Sequence, residues 1–211
     1  MKKYDLYLFD FDGTLFDTLQ SLVLVFKESF AAIGVEVKEE DCLLYTRQPL
    51  EVTYESLDAP MEKADIFVSE IRRLLNDERV LKLTRLYPDT IELLEKMRWM
   101  GMRFAIVTSN NEKHIIDVLK QFEISPSLFE IIVDSDQVPE TKPSPRPILY
   151  ALEKLHFNGD KSSVVYVGDG LNDMLSAKNA GVSGILVDRI NAFNDSDEYI
   201  RINNLLELLN F

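Results

Sequence analysis

Internal disulfides are excluded, because the chain of 211 residues holds one cysteine, Cys42. That fits a reducing compartment, and Cys42 itself reads as a small buried apolar residue. No apolar run approaches the roughly 20 residues that a membrane span needs. Asp5, Asp10 and Asp12 interrupt the apolar N-terminus, so it does not read as a signal peptide. His114 and His156 are the only histidines, and neither they nor Cys42 give a zinc-like ligand spacing. No Gly-x-Ser-x-Gly elbow presents a nucleophilic serine, and no Gly-x-x-x-x-Gly-Lys loop cradles a nucleotide. Positive charge is also short: 23 Lys and Arg stand against 36 Asp and Glu, a net charge of -13. Such a surface repels nucleic acid and anionic membranes. The expectation is a soluble cytoplasmic protein with neither as a partner.

What is present is enough apolar residue, 46%, to bury a core. Residues 4–9, 103–108, 163–167 and 184–187 read as strands buried on both faces, and 131–133 as a weaker fifth. Helical spacing falls between them, at 88–100, 112–122 and 147–155. This alternation predicts an α/β fold with a doubly wound, Rossmann-like parallel sheet. From 17 to 83 there are helices and no convincing strand. Asp17 is a candidate N-cap, Gly34 ends the first helix, and 62–75 is another. The stretch is too long for a crossover, so a small all-helical cap (17–83) is expected, inserted after the first strand into a core of 1–16 and 84–211. It would lie over the sheet end where ligands of open α/β sheets bind. Trp99 and the phenylalanine-rich segments read as core packing.

Four short motifs follow the strands. Asp10-Phe11-Asp12-Gly13-Thr14-Leu15 places two carboxylates close together, and Gly13 frees the chain to turn. Like charges this close need a cation or raised pKa values. Alone, the pair reads equally well as an acidic turn. Gly168-Asp169-Gly170-Leu171-Asn172-Asp173 repeats the pattern after another strand. Asp10 and Asp169, with the Asp12 backbone carbonyl, can then hold one hard divalent cation, Mg²⁺ being the usual one beside phosphate. Asp173 would orient ligands or bound water. Thr108-Ser109-Asn110 offers a hydroxyl and amides to a phosphate, or an ordinary helix cap. Lys142-Pro143-Ser144-Pro145 offers a point charge, or a solvated surface lysine.

In this order, after strands and with a helical insertion, the motifs resemble the haloacid dehalogenase superfamily over essentially the whole chain. The likeness is nearest to its phosphoglycolate phosphatase and β-phosphoglucomutase branch. It implies a Mg²⁺-dependent phosphoric monoester hydrolase acting on a small phosphorylated metabolite, as a monomer or homodimer. Asp10 would attack phosphorus and form an aspartyl-phosphate. Asp12 would be the general acid and base, which sets the chain apart from true dehalogenases. Thr108, Ser109, Asn110 and Lys142 would hold phosphoryl oxygens, the global negative charge being screened beyond about 8 Å. Phosphoglycolate leads the candidate substrates. A sugar-phosphate mutase and a non-catalytic phosphate sensor are the alternatives. The loop at 45–50 would set specificity. Arg47, where phosphoglycolate phosphatases usually carry glycine, is a candidate contact for a carboxylate or second phosphate and equally an exposed arginine. His114 is expected on a helix surface.

Overall fold

The structure is a computed structural model that describes residues 4–46, 50–57, 59–189, 191 and 199–211. The strands are β1 (Leu6–Phe9), β2 (Phe16–Asp17), β3 (Arg85–Leu86), β4 (Arg103–Val107), β5 (Ile132–Val133), β6 (Val164–Gly168), β7 (Ser183–Val187) and β8 (Ile200–Ile202). The helices are α1 (Leu19–Ala32), α2 (Glu39–Tyr45), α3 (Leu50–Ser56), α4 (Ala64–Leu75), α5 (Glu78–Leu83), α6 (Pro88–Trp99), α7 (Glu112–Gln121), α8 (Arg146–Lys154) and α9 (Leu171–Ala180).

Six strands form one sheet in the order β5-β4-β1-β6-β7-β8, every pair parallel. Its two middle strands, β1 and β6, are buried at every position and carry no charged residue, because both faces are covered. In β1, Tyr7 and Phe9 pack into the core on one face, and Leu6 and Leu8 into that on the other. All four are fully buried, and each contributes about 1.5–3 kcal/mol by leaving water. Helices α6 and α7 cover the first face with Leu93, Met97, Ile115 and Leu119. Helices α8 and α9 cover the second with Ile148, Leu152 and Ala177.

Helices α1 to α5 lie between β2 and β3, and they carry apolar clusters of their own. One is aromatic, with Phe30 and Phe67 centred 4.4 Å apart beside Tyr54 and Tyr45. A second joins Val25 to Leu74, Leu75 and Val80. Among the described residues no helix is long and apolar enough to cross a membrane.

The structure departs from the sequence reading in places. Phe16–Asp17 and Arg85–Leu86 pair as a two-stranded antiparallel ribbon at the foot of the helical segment. Strand β8 was not foreseen, since Ile200–Ile202 is too short to show a period. Thr18, not Asp17, is the N-cap of α1, although Asp17 Oδ1 still accepts the Leu19 N–H at 3.3 Å. Trp99 is no core residue: its relative exposure is 88%. It is the last residue of α6, two residues and so about 200° round the helix from the buried Met97, which puts it on the solvent side.

Candidate active site

Counted within the sheet alone, the strand order is 3-2-1-4-5-6, which reverses between β1 and β6. Helices covering opposite faces leave the carboxyl ends of two such strands apart, and the gap is a natural crevice. Asp10 follows β1 and Asp169 follows β6, so both stand at that crevice.

The first loop turns at once. Gly13 has φ +74, its N–H donates to the Phe16 carbonyl at 2.8 Å, and the Phe16 N–H donates back to the Phe11 carbonyl at 3.1 Å. A Cβ on Gly13 would sit 2.2 Å from Asp169 Oδ2, so only glycine lets the two acidic loops touch. Gly168 makes room in the same way, because a Cβ there would lie 2.4 Å from Asp173 Cγ.

Asp10 is 4% exposed. Lys142 Nζ donates to Asp10 Oδ1 at 2.7 Å and to Asp173 Oδ1 at 2.6 Å. Asp173 also accepts the Gly170 N–H at 2.9 Å, which ties it to the start of α9. The Lys142 loop is fixed from that helix: Ser176 Oγ donates to the Ser144 carbonyl and Asn179 Nδ2 to the Pro143 carbonyl. Its Lys142–Pro143 peptide is cis. Burial pushes the Asp10 carboxyl well above the usual range; Asp173, Asp169 and Asp12 add to this, and Lys142 opposes it. Burial alone would depress the Lys142 ammonium, but Asp10 and Asp173 outweigh it and hold it well above the ordinary lysine value. Lys142 is therefore a charged cation between two carboxylates.

Asp12 is half-buried. Its Oδ2 accepts from Asn110 Nδ2 at 3.1 Å, and its Oδ1 is buried without a hydrogen-bond partner among the described residues. Thr108 Oγ1 accepts the Asn110 N–H, and the Ser135 N–H donates to the Asn110 carbonyl. The cap of α7 is Asn111, whose Oδ1 accepts the His114 N–H at 3.0 Å. That leaves Thr108, Ser109 and Asn110 on the wall of the same cavity as Asp10.

The cavity has a volume of about 330 Å³. The structure brings Asp10, Asp12, Thr108, Ser109, Asn110, Lys142, Asp169 and Asp173 together around it. Oxygens of Asp10, Asp169 and Asp173 all lie within 4.8 Å of one another. Three carboxylates so close form a hard oxygen donor set that fits Mg²⁺. Asp173 thus belongs to the same group of carboxylates while also accepting from Lys142. Arg47 lies outside the described residues.

Two features escaped the sequence reading. Arg189, beyond β7, donates to Asp89 Oδ2 and to the Thr14 carbonyl, each at 3.0 Å, and stacks on the Tyr87 ring at 3.7 Å. It fastens the Asp12 loop to the segment entering α6, and no local pattern announces such a long-range clasp. The second is His114, which is 1% exposed, not on the surface. Its Nδ1 bonds the Leu75 carbonyl at the end of α4, and its ring meets Phe11 edge-on. Helix α7 points this residue at the helical segment, so burial comes from a part of the chain 39 residues away.

The sequence model of the haloacid dehalogenase-like hydrolase family matches residues 7–187. The pyrophosphatase PpaX of Bacillus velezensis is 32% identical over 181 residues, covering 85% of this chain and 81% of that protein. A phosphoglycolate phosphatase of Vibrio vulnificus is 31% identical over 185 residues, covering 83% of this chain and 80% of that one. Among solved structures, a haloacid dehalogenase-like hydrolase of Bacteroides fragilis superposes with a TM-score of 0.85 at 27% identity, over 98% of this chain and 100% of the other.

Proposed function

The chain belongs to the haloacid dehalogenase-like hydrolase family, and on that premise we propose that it is a Mg²⁺-dependent phosphatase of small phosphate monoesters. The observation that carries this is the juxtaposition of Asp10, Asp12 and Asp169 with the charged Lys142 at the mouth of the strand reversal. Relatives named as phosphatases of phosphoglycolate and of pyrophosphate support it.

Asp10 is the nucleophile. Its carboxylate attacks phosphorus and the alkoxide leaves, giving an aspartyl-phosphate that water then hydrolyses. Asp12 is the acid and base. Asn110 orients its carboxyl through Oδ2, and that carboxyl carries the proton to the leaving oxygen and later takes one from the attacking water. Lys142, the Thr108 hydroxyl and the Ser109 amide hold the phosphoryl oxygens, where charge spreads in the transition state. Asp10, Asp169 and the Asp12 carbonyl would hold Mg²⁺, with Asp173 supporting them. Bound there, the ion would offset the charge of a phosphoryl oxygen against the surrounding carboxylates. Residues 17–83 act as a cap over this floor, which 1–16 and 84–211 form. Arg47, in the cap loop, is kept as the candidate contact for any anionic group of the substrate.

The test is release of inorganic phosphate from a panel of phosphate monoesters and pyrophosphate, with Mg²⁺ and with EDTA. Phosphate release that stops in EDTA and returns with excess Mg²⁺ is expected. No release from any ester would sink the reading.

A further inference from the structure

The two sides of the cavity differ in chemistry. On the sheet side stand five carboxylates, Asp10, Asp12, Asp169, Asp173 and Asp188, and two cations, Lys142 and Arg189. Both cations are already engaged, Lys142 by Asp10 and Asp173 and Arg189 by Asp89 and the Tyr87 ring. The opposite side comes from the helices, and among the described residues it has no charged group. Leu19, Leu22, Val25, Phe26, Ile71 and Leu75 make most of it, with polar atoms only from Thr18, Tyr45 and Thr46. Leu22 and Ile71 are half-buried, with part of each side chain left uncovered by the helical core they adjoin.

We propose that the alcohol part of the substrate carries a small apolar group packed against this wall, so that kcat/KM rises with each methylene of an alkyl phosphate. The inference rests on the phosphatase reading and narrows its substrate. A phosphoryl group at Asp10 points its leaving oxygen away from the sheet and toward the helices. An apolar group placed there leaves water for an apolar surface, which is favourable. A charged group packed against these apolar side chains would lose its hydration with nothing there to replace it. A sugar would likewise leave most of its hydroxyls without partners on this wall. The volume, about 330 Å³, is at the small end of ligand cavities and sets a limit on the group.

The experiment compares kcat/KM for ethyl phosphate, butyl phosphate and 2-phosphoglycolate, with p-nitrophenyl phosphate alongside. Each buried methylene is worth about fourfold, so butyl phosphate should exceed ethyl phosphate by about fifteenfold. Leu22→Gln and, as a second and smaller change, Ile71→Thr should each lower the butyl-to-ethyl ratio. A butyl ester no better than the ethyl ester overturns the inference and leaves the phosphatase standing. No phosphate from any of the four overturns the phosphatase reading and this inference together.

Discussion

Replacing Lys142 by Met would remove the one cation that Asp10 and Asp173 share. In the structure the ammonium lies 2.7 and 2.6 Å from their oxygens, with side-chain exposures of 14%, 6% and 4% for the three residues. Removing one member of a buried ionic group leaves its partners uncompensated, which costs about 3–5 kcal/mol. For a chain of this length each kcal/mol moves the melting temperature by about 2–4 °C, so a drop of about 6–20 °C is expected. Unfolding should be followed at pH 7 in EDTA, so that no divalent cation substitutes for the lysine. The pH dependence carries its own sign. Asp10 already has a raised pKa in the folded chain, from burial first and then from Asp173, Asp169 and Asp12. Without Lys142 it rises further. A carboxyl with a folded pKa above its unfolded value of about 3.9 binds protons on folding, so its contribution is lost as pH rises through that window. The deficit of the variant should therefore be small near pH 4 and grow toward pH 7. Adding Asp173→Asn should recover part of it. A Lys142→Met protein within about 1 kcal/mol of the parent at pH 7 would refute the reasoning.

Gly13→Ala forces a left-handed φ on a residue with a Cβ, at about 1–2 kcal/mol, and drives that Cβ into Asp169. Denaturant unfolding should show that loss, and phosphate release should fall more than tenfold as Asp169 is displaced. Asp12→Ala should lower kcat by about 10²–10⁴ for an alkyl phosphate. It should lower kcat less for p-nitrophenyl phosphate, whose leaving group departs without a proton; an equal loss on both would remove Asp12 from the acid role. His114→Ala strands the Leu75 carbonyl and should cost about 1–3 kcal/mol in thermal unfolding. A surface histidine would cost nothing measurable.

The sheet was legible because strands such as β1 and β6 are apolar on both faces, a pattern that few other structures require. The motif residues were legible because carboxylates and glycines at strand ends have few structural uses. The parts that were missed share a cause. Strand β8 and the ribbon of β2 and β3 are two or three residues long and are fixed by their partners, not by their own pattern. Arg189 and His114 owe their positions to contacts with Thr14, Asp89 and Leu75, all distant in sequence. Trp99 misled for the opposite reason: its type favours burial, while its place at the end of α6 leaves it in water.

The central claim, that Asp10 takes up the phosphoryl group, has a direct measurement. The enzyme is turned over with Mg²⁺ and a reactive monoester, quenched in acid within the first turnovers, and digested for mass spectrometry. The account predicts one phosphoryl group on the peptide that carries Asp10, absent from Asp10→Asn and chased away when turnover is allowed to finish. Phosphate release at the parent rate by Asp10→Asn, or a phosphoryl group on another residue, would contradict it.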